Sequence, residues 1–251
     1  MDFRKTFDLI PEAFDQYRPR YCSELFDELK TVCALAPGKK VLEIGPGTGQ
    51  ATEPVLRTGC DYTAIELGEN FTALMQQKFG HYTNFRIFNG DFETFSFPAN
   101  EYDLVYSAAT IQWIPEEIAF SKTYRMLKPG GYLAMFMTRS DEVSADPALR
   151  AEIDKVYDAH FKVKQAYSCR LTYENVLNYG FRDLRYTEWK QVRRLTAEEY
   201  LCYIGTHCAH ITLEEPYRSR FFDGIRQAVL AAGGVIEIRD TIPLYLVQKP
   251  L

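Results

Sequence analysis

The chain has 251 residues, of which 46% are hydrophobic, 14% aromatic and 25% charged. This composition is that of an ordinary globular protein, and it argues against a disordered chain, a collagen-like repeat or a coiled coil. The 29 basic and 34 acidic residues give a net charge of −5. Because the chain lacks the basic surplus that binding to a phosphate backbone needs, we expect no nucleic-acid partner.

The sequence also argues against a membrane or secreted protein. It contains no run of about 20 apolar residues, and residues 1–8 carry charges where a signal peptide would have its apolar segment. The six cysteines are scattered singly, without a C-x-x-C pair. We therefore expect a cytoplasmic location, reduced thiols, no membrane association and no metal site.

Strands and helices alternate in the first part of the chain. Short apolar runs predict five strands, at 40–44, 61–65, 85–88, 102–106 and 132–137. Helices are predicted between them at 67–79 and 116–127, and Lys128-Pro129-Gly130-Gly131 is expected to end the second one. This alternation predicts a mostly parallel sheet with helices on both faces.

After residue 138 the alternation ends. Helices are predicted at 146–165, 171–179 and 196–231, and closing strands at 181–195 and 235–248. The extra helices are expected to form a cap, and the closing strands to complete the core sheet.

These patterns divide the chain into three predicted parts. They are a helical segment at 1–36, a core of alternating strands and helices at 37–138, and a part at 139–251 that holds the closing strands and cap helices at about 145–180 and 196–231.

The strongest chemical signal is a glycine-rich loop after the first strand, Gly45-Pro46-Gly47-Thr48-Gly49. Glycines at alternate positions let the backbone approach a ligand closely, and N–H groups at the start of the next helix attract negative charge. Gln50 stands where the G-x-G-x-x-G fingerprint has its third glycine. An NAD-dependent dehydrogenase is therefore a less favoured alternative, and a Walker A loop is excluded because no Gly-Lys-Ser/Thr follows.

Acidic residues follow the next two strands. Glu66 ends the second strand, where a carboxylate accepts ribose hydroxyls in dinucleotide folds, although a solvated carboxylate at a helix start is the alternative. Asp91 and Phe92 follow the third strand, where they would contact the exocyclic amine and the face of a purine. An N-cap and a core residue are the alternative for that pair. In combination with the glycine loop, ligand binding is the better interpretation.

Together these residues resemble the class I S-adenosylmethionine-dependent methyltransferases over about residues 14–138. The resemblance rests on Glu43-Ile44-Gly45-Pro46-Gly47-Thr48-Gly49, Glu66, Gly90-Asp91 and Arg125-Met126-Leu127-Lys128-Pro129-Gly130-Gly131. It implies an α/β fold, with a Rossmann-like, mostly parallel seven-stranded sheet, helices on both faces and a helical cap. It also implies an enzyme that transfers a methyl group by in-line displacement, with residues 37–138 as the S-adenosylmethionine-binding core and the helical segment at 1–36 closing over the cofactor.

The resemblance implies S-adenosyl-L-methionine as cofactor and S-adenosyl-L-homocysteine as product. The glycines would allow close backbone approach, Glu66 would bind the ribose, and Ser107 and Gln112 would lie near the methionine part. The complete set of expected cofactor contacts is Tyr17, Arg20, Gly45, Pro46, Gly47, Gly49, Glu66, Leu67, Asp91, Phe92, Ser107 and Gln112.

Finer details are similar to the trans-aconitate methyltransferase-like branch, which acts on small molecules. They are Tyr17-Arg18-Pro19, Gly49-Gln50-Ala51-Thr52 and Gln112-Trp113-Ile114. Relatives often have His where this chain has Gln112, and a glutamine orients a ligand only by hydrogen bonds. Ser107-Ala108-Ala109-Thr110 differs from the Asn/Asp-Pro-Pro-aromatic sequence of enzymes that methylate bases or glutamine.

The acceptor is expected to be a small molecule, with a carboxylate as one candidate and O-, N- or S-methylation left open. Candidate acceptor-pocket residues are Arg18, Gln112, Trp113, Arg139, Tyr203 and His207. The arginine fork suits a carboxylate, whereas surface positions and ordinary helix packing are the alternatives. A protein that binds the cofactor without methylating anything is a second hypothesis, and the sequence predicts no oligomeric state.

Overall fold

The computed structural model describes residues 2–164 and 167–251. Residue 165, the last of one predicted helix, and Met1 of the predicted N-terminal segment lie outside the described residues. No helix in the described part of the chain is both long and apolar enough to span a membrane.

Eight strands are found in the described part of the chain. They are β1 (Lys40–Ile44), β2 (Asp61–Glu66), β3 (Phe85–Asn89), β4 (Tyr102–Ala108), β5 (Leu127–Phe136), β6 (Arg139–Val143), β7 (Arg182–Thr196) and β8 (Val235–Gln248).

The α-helices are α1 (Pro11–Tyr17), α2 (Ser23–Val32), α3 (Thr52–Leu56), α4 (Glu69–Phe79), α5 (Glu116–Met126), α6 (Pro147–His160), α7 (Ala197–Ile204), α8 (Cys208–Ile211) and α9 (Tyr217–Ala231). Within residues 2–164 and 167–251 there are also three 3₁₀-helices, Phe3–Leu9, Ile111–Trp113 and Tyr173–Tyr179.

The chain forms two compact units. The core unit consists of Pro19–Thr138, Ser168–Trp189 and Ile242–Leu251, and the helical unit consists of Met1–Arg18, Arg139–Tyr167 and Lys190–Thr241. The division after residue 138 coincides with a predicted boundary. The predicted boundary after residue 36 has no counterpart, because the chain enters the core unit at Pro19 and α2 packs there through Leu25 and Leu29.

In the core unit the strand order is β3-β2-β1-β4-β5-β8. The first five strands pair in parallel, with Leu42 opposite both Thr63 and Val105, whereas β8 runs antiparallel to β5. The apolar residues of β1 are fully buried because helices cover both faces of a parallel sheet. The prediction of a mixed α/β, Rossmann-like and mostly parallel sheet is therefore confirmed.

The strand count and the start of β5 differ from the prediction. The unpredicted eighth strand, β6, pairs in the helical unit with the Ile238–Thr241 part of β8, and as an edge strand it needs no apolar run. β5 begins at Leu127, so the expected turn at 128–131 lies within it. A register shift near Tyr102 and the positive φ of Gly130 accommodate this stretch.

Three helix predictions also need correction. Residues 173–179 form a 3₁₀-helix, and α6 ends at His160. The single helix predicted at 196–231 is three helices, α7, α8 and α9, because Gly205 ends the first and Pro216 precedes the third. In the helical unit, α6, α7 and α9 enclose a core that contains Ile153 and Phe221.

A fully buried carboxyl group, that of Glu43 on β1, lies in the core unit. Its Oε2 accepts hydrogen bonds from the Thr52 hydroxyl at 2.5 Å and from the Tyr62 hydroxyl, which also contacts the Tyr106 hydroxyl. Its Oε1 has no hydrogen-bond partner among the described residues. Burial raises the pKa of Glu43 from 4.5 to about 7, although these hydrogen bonds oppose the shift.

This pKa predicts that stability falls as the pH rises. The folded state holds its proton up to about pH 7, whereas the unfolded carboxyl ionises near pH 4.5, so about 3 kcal/mol is lost between these values. Glu43→Gln, which cannot ionise, should remove most of that loss. Urea unfolding at pH 5 and pH 8 measures it, with Glu69→Gln, exposed on α4, as the control. An equal pH dependence in wild type and Glu43→Gln would contradict the assignment.

Candidate functional site

The glycine loop follows β1 at the carboxyl edge of the parallel sheet. Gly45, Gly47 and Gly49 have φ values of 64°, 57° and 86°, which side chains rarely adopt. A Cβ on Gly45 would lie 2.3 Å from Cγ2 of Thr110, and one on Gly49 would lie 2.5 Å from the Phe79 ring. The backbone conformation and the close packing therefore both require glycine. Gly45 and Gly47 are partly exposed at this edge, whereas Pro46 between them is buried.

The carboxylate of Glu66 holds this loop against the end of β2. Its Oε2 accepts a hydrogen bond from the Gly47 N–H and its Oε1 accepts one from the Gly68 N–H, both at 2.9 Å. Glu66 is only 6% exposed, so the solvated carboxylate considered as an alternative is not what the structure contains. The acidic group instead lies beside the partly exposed backbone of the glycine loop.

A second contact to the loop comes from α4, and no sequence pattern predicted it. The ammonium of Lys78 donates to the Thr48 carbonyl oxygen at 2.6 Å, and the Gln50 amide donates to the Thr48 hydroxyl at 2.6 Å. A lysine near the end of a helix is common, because it interacts favourably with the helix dipole. Only the folded chain shows that this one reaches the loop.

Both residues after β3 make the contacts of the second interpretation given above, in which the Asp caps the local backbone and the Phe belongs to the core. Asp91 accepts a hydrogen bond from the Glu93 N–H at 2.9 Å, as a turn-forming Asp does. Phe92 is 5% exposed, packs on Phe97 and lies below the Lys122 ammonium. The Phe92 ring belongs to the core, and its expected contact with a purine stays a prediction. Leu67, after β2, is partly exposed.

Ser107 has a structural role. Its hydroxyl donates to the Ile44 carbonyl at 3.2 Å and accepts from the Ile111 N–H at 2.9 Å, and the residue is 1% exposed. These bonds fix the turn after β4, where Thr110 also donates to the Gly45 carbonyl at 2.9 Å. The buried Ser107 side chain thus shapes the turn, and its expected place near the methionine part of the cofactor stays a prediction.

Gln112 and Trp113 lie on the 3₁₀-helix after this turn, and both are partly exposed. The Gln112 side-chain oxygen accepts a hydrogen bond from the Tyr173 hydroxyl at 3.4 Å. The backbone carbonyls of Gln112 and Trp113 accept from Arg170 at 3.0 and 3.4 Å. The sequence did not predict Arg170 or Tyr173, because neither lies in a motif.

Four of the candidate acceptor residues belong to the helical unit, namely Arg18, Arg139, Tyr203 and His207. Arg18 donates to the Thr206 carbonyl at 2.8 Å and its guanidinium lies 4.9 Å from the centre of the Phe14 ring. The rings of Tyr203 and His207 are 4.8 Å apart. Burial, followed by the charge of Arg18, lowers the pKa of His207 well below 6.5, so its imidazole is neutral at pH 7.

A buried ion pair that sequence reasoning missed lies beside Tyr203. Arg193 contacts Asp240 through two nitrogens, at 2.5 and 3.1 Å, and Asp240 is 1% exposed. The guanidinium lies 4.3 Å from the centre of the Tyr203 ring, and the Tyr203 hydroxyl is 3.1 Å from the Ser140 hydroxyl. This network fixes the position of Tyr203.

The other predicted residues are more exposed. Arg139 begins β6 and pairs with Asp141 at 2.6 Å. Tyr17 is the last residue of α1, and Arg20 is exposed in the connection to α2. In the part of the chain that the structure describes, no group of three or more His, Cys, Asp or Glu residues could hold a metal ion.

The close approach of Thr110 predicts how the loop responds to a side chain. Gly45→Ala should lower the free energy of unfolding by about 2–4 kcal/mol, because the added Cβ meets Thr110 and the positive φ is strained. Thr110→Ala alone should cost about 1 kcal/mol through its lost hydrogen bond. In the double variant the two losses should be less than additive, as measured by urea unfolding. Strictly additive losses would show that the contact with Thr110 is not what destabilises the Gly45→Ala variant.

The sequence and the fold were compared with those of known proteins. A family model described as a methyltransferase domain matches residues 42–135. The malonyl-[acyl-carrier protein] O-methyltransferase of Enterobacter lignolyticus is 30% identical over 175 residues, which are 65% of this chain and 67% of that protein. The protein of the same name from Marinomonas sp. is 30% identical over 140 residues, 54% of this chain and 51% of the relative. The chain thus aligns with half to two thirds of these relatives.

Solved structures share the fold at low sequence identity. A type II methyltransferase candidate from Anaeromyxobacter dehalogenans has a TM-score of 0.66 and 20% identity, over 93% of this chain and 98% of that one. Phosphoethanolamine N-methyltransferase 2 of Haemonchus contortus, solved with phosphomonomethylethanolamine and S-adenosylhomocysteine, has a TM-score of 0.60 and 17% identity. The match covers 100% of this chain and 61% of that one. The [4+2]-cyclase SpnF has a TM-score of 0.56 and 15% identity, over 98% and 94%.

Proposed function

The chain belongs to the class I S-adenosylmethionine-dependent methyltransferases, and from this premise we propose that it methylates a carboxylate of a small-molecule acceptor. The observation that carries the proposal is the glycine loop held at the carboxyl edge of the sheet by Glu66. In open α/β sheets, ligands bind at that edge.

The residues at this edge suit S-adenosylmethionine. Gly45 and Gly47 are partly exposed, and the loop has no side chains at the positions where a ligand would approach the backbone. We assign the ribose hydroxyls to the Glu66 carboxylate, which its two backbone hydrogen bonds hold in place. Leu67 and Asp91 follow the neighbouring strands, and we assign the adenine to them.

When bound, S-adenosylmethionine would supply an electrophilic methyl group: the acceptor oxygen would bond to the methyl carbon in line as the carbon–sulfur bond breaks, with S-adenosylhomocysteine as the leaving group. The role of the protein in such a reaction is chiefly to hold the reacting atoms in place, which contributes on the order of 7–11 kcal/mol in well-oriented systems. Gly47 and Glu66 would hold the ligand, and the Ser107 and Thr110 hydrogen bonds would fix the turn beside it.

A carboxylate acceptor agrees with the available side chains. It is ionised at neutral pH and needs no general base, and Gln112 cannot act as one. The lowered pKa of His207 makes its imidazole a weak base. Two relatives at 30% identity are named O-methyltransferases of malonyl-acyl-carrier protein, which agrees with methylation at oxygen.

We further propose that the acceptor is a small acid, as in the trans-aconitate methyltransferase-like branch. The support is Tyr17-Arg18-Pro19 and Gln112-Trp113-Ile114 in the sequence, together with the net charge of −5, which disfavours nucleic acid. Arg18, Tyr203 and His207 belong to the same unit and are the candidates for holding such an acid.

Glu66→Ala should weaken the binding of S-adenosylhomocysteine by about 100-fold or more, because hydrogen bonds to a charged group contribute about 1.5–3 kcal/mol each. Isothermal titration calorimetry measures the affinity. Glu69→Ala removes a neighbouring carboxylate that is exposed on α4 and should change little. A wild-type affinity in Glu66→Ala would remove the ribose assignment.

Methyl transfer itself is tested with methyl-labelled S-adenosylmethionine and a set of small carboxylic acids. A methyl ester releases its label as volatile methanol in mild alkali, whereas N-methyl and S-methyl products keep it. The proposal predicts alkali-labile label. Alkali-stable label would refute the carboxylate acceptor. Cofactor binding without any transfer would indicate a member of the fold with another function, as the name of SpnF illustrates.

A further inference from the structure

Residues 172–179, from a distant part of the sequence, pack against the start of α5 in the core unit. The Glu116 carboxylate accepts hydrogen bonds from the Thr172 N–H at 2.9 Å, from the Asn175 amide at 3.0 and 3.1 Å, and from the Tyr179 hydroxyl at 3.5 Å. These bonds fix both ends of the 3₁₀-helix at 173–179.

Arg170, which lies just ahead of this segment, is also held by hydrogen bonds to the core unit. The Arg170 N–H donates to the Gln112 carbonyl at 3.0 Å and its guanidinium donates to the Trp113 carbonyl at 3.4 Å. Residues 170–179 and 112–116 are therefore joined at both ends of their contact. Such a set of bonds leaves little freedom to the side chains between them.

Tyr173 is the side chain that this docking presents to Gln112. Its hydroxyl donates to Oε1 of Gln112 at 3.4 Å and lies 3.8 Å from Sδ of Met137. Its ring stacks on Tyr245, with centres 4.7 Å apart and planes 14° apart. The stacking of its ring on Tyr245 and the hydrogen bonds of the neighbouring residues therefore both fix the position of Tyr173.

This contact determines which end of the Gln112 amide is available. The oxygen is engaged by Tyr173, whereas Nε2 makes no hydrogen bond to any residue that the structure describes. Gln112 is partly exposed and follows β4, and Met137 follows β5, so both stand at the carboxyl edge where ligands bind. Two N–H donors at this edge suit a carboxylate oxygen.

We propose that Tyr173 is a positioning residue, which turns the amide of Gln112 so that its N–H donors bind a carboxylate. The inference rests on the proposed function, because it specifies the role of the same sheet edge. The carboxylate has two possible sources, the amino-acid part of the cofactor and the acceptor. Either carboxylate would be bound by the N–H donors of an amide, which carries no titrating group.

The two sources are distinguished by ligands with and without the carboxylate. S-adenosylhomocysteine carries the amino-acid group, whereas 5′-methylthioadenosine keeps the nucleoside and the thioether and lacks it. Tyr173→Phe retains the ring stacked on Tyr245 and removes only the hydroxyl. Tyr179→Phe is the matched control, because it lies on the same 3₁₀-helix and donates to Glu116 instead of Gln112.

If the cofactor supplies the carboxylate, Tyr173→Phe should weaken the binding of S-adenosylhomocysteine about 5- to 10-fold. The affinity for 5′-methylthioadenosine should stay unchanged in the same calorimetric titrations. Gln112→Ala should give the same pattern, and adding Tyr173→Phe to it should weaken binding no further. If the acceptor supplies it, both nucleoside affinities stay constant. Malonate, titrated into the complex with S-adenosylhomocysteine, should then bind 5- to 10-fold more weakly to Tyr173→Phe. Tyr179→Phe should show neither loss.

Other outcomes overturn the inference. If Tyr173→Phe weakened the binding of both nucleosides equally, the role of Tyr173 would be merely structural. If it changed no affinity, Tyr173 would have no role in binding. Failure of the wild-type protein to bind either nucleoside would refute the proposed function and this inference with it. Normal wild-type binding with an unaffected Tyr173→Phe variant would refute the inference alone.

Discussion

The hydrogen bonds between the Glu66 carboxylate and the N–H groups of Gly47 and Gly68 connect the glycine loop to the end of β2. They place a nearly buried negative group beside backbone that has no side chain to shield it. The position of the loop depends on these bonds, and the close approach of Thr110 to Gly45 constrains it from the β4 side. The carboxyl edge of the sheet is therefore shaped mainly by contacts among the ends of neighbouring strands, to which Lys78 of α4 adds its hydrogen bond to the Thr48 carbonyl.

The parts of the fold that could be predicted are those encoded in short stretches of sequence. Alternating apolar strands and helices specify a parallel sheet, because each strand must be buried on both faces. The loop at Gly45–Gly49 and the position of Glu66 follow from the same alternation. β6 escaped prediction since an edge strand of charged residues has no apolar pattern, and β5 extends through 128–131 because its pairing with β4 prevails over the local preference for a turn.

The position of the candidate site along the backbone could be predicted, whereas the orientation of several of its side chains could not. Position along a strand indicated that Phe92 and Ser107 lie near the edge, but it did not indicate the direction in which each side chain points. Tyr173 and Lys78 were missed because each is an ordinary residue type on a helix, and its contact is with a residue at least 30 positions away. Arg193 was missed for the same reason, since its partner Asp240 lies on another strand.

We propose that the edge formed by the glycine loop and Glu66 binds S-adenosylmethionine. A crystal structure of the protein grown with S-adenosylhomocysteine would locate the ligand. We expect the ribose hydroxyls within about 3 Å of the Glu66 carboxylate, with the adenine beside Leu67 and Asp91. Density for the nucleoside at any other place, with the Glu66 carboxylate not contacting it, would refute the proposed site.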